Sequence, residues 1–148
     1  MLFYFNALII LIVDQFFKFL VHRFMVLGQS IPLLNDVIKL TYVRNTGAAF
    51  SLFIGFSPYL AVVGSLVVVL VIYFHYRVPA KYLPLQFGLS CLLGGSIGNL
   101  ADRLIRSYVI DYIDVTIWPV FNFADIMINV GAFIIAFSLL RPLSKLED

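Results

Sequence analysis

Four apolar stretches, at about 2–20, 59–74, 83–100 and 121–140, constrain this chain more than any other feature. A helix needs about 20 apolar residues to cross the hydrocarbon core of a bilayer, and each stretch is close to that length. Hydrophobic residues make up 62% of the 148 and charged residues 12%, with mean hydropathy +1.02. That leaves too little polar surface to coat a soluble globule. The expected fold class is an all-α integral membrane protein. It is one domain, 1–148, built as a four-transmembrane-helix bundle.

The net charge of +2 is small and scattered, with no basic tract, so no nucleic-acid partner is expected. A single cysteine, Cys91, excludes an internal disulfide and fits plain packing. The first stretch lacks the basic start and small-residue cleavage site of a secretory signal and contains Asp14 and Lys18, so it is expected to stay in the mature protein. Orientation follows from "HYRVPAKY", with Arg77 and Lys81 and no acid, and from Arg141 and Lys145 after the last span. Cationic loops stay inside. Both termini are then cytoplasmic, and the loops 21–58 and 101–120 face outward.

The first outer loop is too long for a connector. In it Ile38, Leu40 and Tyr42 alternate with Val37, Lys39 and Thr41, and Asn35–Asp36 suits a hairpin turn. The expectation is a small extracytoplasmic β-sheet in this loop. The second, "IRSYVIDYIDVTIWPVF", mixes apolar residues with Asp111, Asp114 and Trp118, and is expected to lie in the membrane interface.

The third stretch carries two stripes of small residues. Ser90, Gly94 and Gly98 lead to Asp102, and Cys91, Gly95 and Asn99 lead to Arg103. Close helix packing accounts for the glycines. It does not account for Asn99, Asp102 and Arg103. "GGSIG" formally matches a serine-hydrolase elbow around Ser96, but that motif needs a strand-to-helix turn, and the chain's histidines, His22 and His75, sit at span ends.

Among the acids, Glu147 and Asp148 belong to the tail and Asp36 to the hairpin turn. Asp14 lies inside the first span, where an unpaired charge costs about 2.5–3.5 kcal/mol on insertion scales. Lys18 stands four residues on, so a buried ion pair is the expected role. Asp102, Asp111, Asp114 and Asp125 fall at the outer face. Asp111 and Asp125 are 125 − 111 = 14 residues apart, across a loop that returns to the fourth span. Two carboxylates in a poorly hydrated site share a proton and can work as acid and base on water. The same acids would equally suit a Mg²⁺ site or a proton relay. A transporter would want ionisable groups spread through the membrane, and a noncatalytic adaptor gives no reason for paired aspartates at one rim.

The runs "DQFFK" (14–18), "RNTGAAFS" (44–51), "GGSIGNLADR" (94–103), "VIDYID" (109–114) and "FNFAD" (121–125), in this order, resemble the lipoprotein signal peptidases, also called signal peptidase II. The resemblance spans nearly the whole chain; the segment between Asp111 and Asp125 is shorter than in some members. It implies an aspartic endopeptidase of the bacterial cytoplasmic membrane, with no cofactor or metal, working as a monomer among membrane lipids. The substrates it implies are diacylglyceryl-modified prolipoproteins, cut just before the lipid-bearing cysteine near the outer face. By motif position Asp111 and Asp125 match the catalytic pair. Asn45, Gly47, Asn99, Asp102, Arg103 and Asn122 match residues lining the site, and Asp14, with Lys18, matches a supporting position. Asp114 is read as solvated and structural.

Overall fold

A computed structural model describes residues 1–34, 37–47 and 57–140 of the chain. Its elements follow in the order α1 (Leu2–Phe24), β1 (Ser30–Leu34), β2 (Ile38–Asn45), α2 (Ser57–Arg77), α3 (Leu83–Arg106), β3 (Val109–Asp114) and α4 (Phe123–Leu140). The Asn35–Asp36 turn, the cations Arg141 and Lys145 and the acids Glu147 and Asp148 lie outside the described residues.

Helices α1, α2 and α4 are long and apolar enough to cross a membrane. They carry large apolar side chains on their outer surfaces, among them Phe16 and Phe19 of α1, Val62 and Leu66 of α2, and Phe133 of α4. Helix α3 is the longest of the four but less apolar, and burial explains why. It packs against the other three helices and buries Gly88–Ser90, Cys91, Leu93–Ser96, Gly98, Asn99 and Asp102. A helix enclosed by protein gains more from close approach than from side chains suited to lipid.

The two stripes on α3 serve two neighbours. The Gly94 and Gly98 stripe faces α1: a Cβ on Gly98 would lie 2.5 Å from Asp14 Oδ2. The Gly95 stripe faces α4, where a Cβ would lie 2.6 Å from the Ala124 carbonyl oxygen. Away from the polar end, Phe3, Ala7, Val71, Leu89 and Leu93 make the apolar core of the bundle.

The structure corrects the expected layout of the second loop. Helix α3 continues to Arg106, past the expected end at 100, and Ser107 stops it in a left-handed conformation (φ 64°). Residues 109–114 then form a strand, which the sequence reading did not anticipate in this loop. It joins a three-stranded antiparallel sheet in the order β1-β2-β3, so the sheet draws on both loops and not on the first alone. Val109 to Tyr112 are all buried. A strand covered on both faces shows an apolar run without clean alternation, which is why "VIDYID" reads poorly as a strand.

In the pairing of β2 with β3, Asn45 stands opposite Val109 and Val43 opposite Asp111. Val21, Tyr42, Ile110 and Tyr112 form a second apolar cluster, with Phe123 packed against it. This cluster clamps the sheet to the end of α1 and the start of α4. Phe121 returns the chain to β3, accepting the Tyr112 N–H (3.0 Å) and donating to the Ile113 carbonyl (3.0 Å).

Candidate active site

Helix α4 begins at Phe123, and every backbone N–H of its first turn has a partner. Phe123 N–H donates to the Tyr112 hydroxyl oxygen (3.3 Å), Ala124 N–H to Asp14 Oδ1 (3.0 Å), Asp125 N–H to Asn122 Oδ1 (2.9 Å) and Ile126 N–H to the Asn122 carbonyl (3.3 Å). Asp125 Oδ2 in turn accepts the Asn122 N–H (3.1 Å). Asn122 and Asp125 therefore form a reciprocal capping box, the fixed N-terminal turn that also suits negative charge. This turn sets the position of Asp125.

Three asparagines hold the two carboxylates, and obligate donors fix the orientation of each amide. Asn45 Oδ1 accepts the Gly47 N–H (3.0 Å), so its Nδ2 is the atom that donates to Asp111 Oδ2 (2.9 Å). Asn122 Oδ1 is held by the Asp125 N–H, so its Nδ2 donates to Asp111 Oδ1 (2.7 Å) and also faces Asn99 Oδ1 (3.2 Å). Asn99 Oδ1 accepts from Lys18 Nζ (2.9 Å), which leaves Nδ2 to donate to Asp125 Oδ1 (2.8 Å). Because a backbone N–H or an ammonium can only donate, no amide can be turned over without losing a bond. Among the described residues Asn122 alone links both carboxylates, through its side chain to Asp111 and its backbone to Asp125.

Asp111 is 2% exposed. Burial, followed by the neighbouring charge of Asp125, raises its pKa to about 7 against the opposing pull of the Asn45 and Asn122 amides and Lys18. Asp125 is half-buried and lines the same cavity of about 1050 Å³. Asn45, Gly47, Asn99 and Arg103 share that lining, and Trp118 stands on its loop side. Among the described residues neither Asp111 nor Asp125 makes an ion pair.

The other candidates stand behind this cavity, not in its lining. Asn122, Asp14, Lys18 and Asp102 are fully buried. Lys18 Nζ lies 2.8 Å from Asp14 Oδ2 and 3.2 Å from Asp102 Oδ2; Arg106 Nη1 lies 2.6 Å from Asp102 Oδ1. Asp102 Oδ2 also accepts the Ile110 N–H (3.1 Å), tying β3 to α3. Asp114 lies apart at the sheet edge, accepting from the Thr116 N–H (2.9 Å) and the Thr41 hydroxyl (2.8 Å), which hold its pKa below the ordinary value. The hydroxyl of Tyr42 occupies His22 Nδ1 (2.7 Å).

Several contributors were not anticipated. Gln15 donates to Asp14, the Gly98 carbonyl and Asp102 (3.1, 3.1 and 3.4 Å). Arg106 follows Asp102 by four residues and pairs with its carboxylate, a spacing visible in the sequence, whereas Asn129, four residues after Asp125, donates to its backbone carbonyl (2.8 Å). Tyr112 had no comparable signal, because its partner, the Phe123 N–H, comes from a different element.

Helices α3 and α4 and strands β2 and β3 line a cavity holding two carboxylates at one end of a bundle with membrane-length helices, an arrangement suited to a membrane-embedded hydrolase. The comparisons agree. Residues 6–141 match the model of the family described as signal peptidase (SPase) II. The lipoprotein signal peptidase of Halothermothrix orenii is 44% identical over 131 residues, 87% of this chain and 88% of that protein. The lipoprotein signal peptidase of Bacillus subtilis is 38% identical over 149 residues, 98% of this chain and 97% of that one. A bacterial membrane enzyme solved by the in meso method superimposes with TM-score 0.88 at 28% identity, covering 93% of this chain and 87% of its own. The chain belongs to the signal peptidase II family. It is a protease of a multi-pass bacterial membrane type.

Proposed function

We propose that this chain removes signal peptides from diacylglyceryl-modified prolipoproteins, cutting on the N-terminal side of the lipid-bearing cysteine, with Asp111 and Asp125 as the catalytic pair. The observation that carries the reading is that these two acids line one cavity and, among the described residues, are held only by neutral amides and backbone N–H groups.

Asp125 acts as base and Asp111, the acid that keeps its proton to about pH 7, as acid. Asp125 takes a proton from water as the water oxygen bonds to the scissile carbonyl carbon, and Asp111 gives its proton to the carbonyl oxygen. Asp125 then passes its proton to the leaving nitrogen, Asp111 regains one from the tetrahedral hydroxyl, and the C–N bond breaks. The single shared proton is restored. Arg103, at the wall of the cavity, offers its guanidinium to a substrate carbonyl. Asn45, Asn99 and Asn122 hold the acids, and Asp14, Lys18 and Asp102 brace the elements that carry them. A peptide unwound at membrane depth needs such shelter for its backbone.

In this reading α3 is the fourth span and the sheet and dyad lie at the outer face. Both termini are cytoplasmic, and the enzyme works as a monomer without a cofactor. The test is in vitro cleavage of a diacylglyceryl-modified precursor by wild type, Asp111→Asn and Asp125→Asn, each with and without chelator. Wild-type cleavage insensitive to chelator and absent from both variants is expected. Activity surviving in either variant contradicts the assignment.

A further inference from the structure

Beyond Asp125, helix α4 lines the dyad cavity with Ile126, Asn129 and Val130, and of these Asn129 alone is polar. It lies one helical turn past Asp125. At about 1.5 Å per residue, that is about 6 Å further along a helix of membrane-spanning length. Its Nδ2 donates to the Asp125 carbonyl (2.8 Å). A carbonyl oxygen can only accept, so the amide cannot be turned over without losing this bond. Oδ1 is then left as an acceptor beside the one remaining Nδ2 hydrogen. Among the described residues neither has a partner, and the side chain is exposed.

Hydrocarbon offers nothing to an amide set between Ile126 and Val130. A matching partner must carry a donor and an acceptor side by side. One residue of an extended peptide does so, because its N–H and C=O point to the same side of the strand. A precursor cut by Asp111 and Asp125 supplies such a residue. Its signal segment rises through the membrane, so the residues before the scissile bond lie on the deeper side of the dyad, along α4. An extended chain advances about 3.3 Å per residue, and a depth of about 6 Å brings the second residue before the scissile bond level with Asn129. Unwinding this stretch to expose the bond frees its N–H groups from their helical carbonyls, and at membrane depth they need new acceptors.

We propose that Asn129 is a substrate-binding residue that pairs with the backbone of the second residue before the scissile bond. Oδ1 accepts that residue's N–H, and the remaining Nδ2 hydrogen goes to its carbonyl oxygen. The unwound strand is thereby held extended against α4 and presented to the dyad, while Asn129 takes no part in proton transfer. The proposal rests on the reading of the chain as an aspartic peptidase whose substrate arrives from the membrane.

The test pairs a change in the enzyme with a change in the substrate. Diacylglyceryl-modified precursor peptides carry either natural amides, a backbone ester replacing the N–H of the second residue before the scissile bond, or the same ester at the third residue. Successive N–H groups of an extended strand point to opposite sides, so the third-residue ester is the control. Full-length wild type, Asn129→Leu, which keeps the side chain's shape, and Asn129→Ala are assayed on all three. Wild type is expected to lose about fivefold in kcat/KM on the second-residue ester, the change one neutral hydrogen bond implies, and nothing on the control. Both variants are expected to show a raised KM for the natural peptide and to cleave it and the second-residue ester equally. Each ratio compares two peptides on one enzyme, so a change in folded fraction cancels. Equal cleavage of amide and second-residue ester by wild type overturns the proposal. So does a fivefold discrimination that survives in Asn129→Leu and Asn129→Ala, the result expected of an amide engaged within its own chain. Either result leaves the dyad standing, whose own failure would appear as cleavage by Asp111→Asn or Asp125→Asn.

Discussion

Two pairs of aspartates, all buried except the half-buried Asp125, lie at the same end of this bundle and are treated in opposite ways. Asp14 and Asp102 are fully enclosed and matched by cations: Lys18 bridges both, and Arg106 holds the second. Asp111 and Asp125 meet no cation within ion-pair distance among the described residues, only asparagine amides and a backbone N–H, and they face a cavity. Neutral donors steady a carboxylate without cancelling its charge. In the proposed mechanism the first pair is a brace, while the second exchanges a proton. What separates the pairs is direct contact: cations lie within ion-pair distance of Asp14 and Asp102, whereas Lys18 and Arg103 act on Asp111 and Asp125 only from farther away.

Substitutions that remove one acid of each pair should break this contrast in different directions. Asp111→Asn and Asp125→Asn are each expected to lower kcat by about 10³, read in precursor cleavage. Asp111→Asn should at the same time stabilise the fold. Asp111 holds its proton to about pH 7, whereas an unfolded aspartate releases it near about 3.9, so between these values the folded chain binds more protons. Stability then falls as pH rises across that window, and the amide escapes the loss. Thermal midpoints above pH 7 should be higher in Asp111→Asn than in wild type.

The brace should respond in the reverse sense. Lys18→Met leaves two buried carboxylates short of a cation, and a loss of about 3–5 kcal/mol is expected in thermal or denaturant unfolding. It also frees the Asn99 amide, so any folded fraction should show reduced kcat. Asn122→Ala touches both pairs less severely. It removes the cap of α4 and one donor to Asp111, for about 1–2 kcal/mol of stability and a measurable fall in kcat. The smallest effect belongs to Asp114→Asn, at the sheet edge and outside both clusters. Stability should change by no more than about 0.5 kcal/mol and cleavage should stay at the wild-type rate.

Much of this arrangement is legible in the chain. The four apolar stretches, the Asp14–Lys18 spacing and the two stripes of α3 each follow from one periodicity, and each has a counterpart in the fold. The capping box of Asn122 and Asp125 was also there to be read, three residues apart before an apolar run. What the sequence conceals depends on long-range closure. "VIDYID" becomes a strand only because β2 and the clamp around Tyr42 cover it. Asn99 becomes a relay of orientation only because Lys18, 81 residues away, reaches its oxygen. The difference between brace and reactive pair is of this second kind, since it rests on which partners arrive from other elements.

Infrared difference titration of the detergent-solubilised protein follows the carbonyl stretch of a protonated carboxyl group as pH is raised. The account predicts one such signal that disappears near pH 7 in wild type, persists in Asp114→Asn and is missing from Asp111→Asn. A neutral-range carboxyl signal that survives unchanged in Asp111→Asn would contradict it.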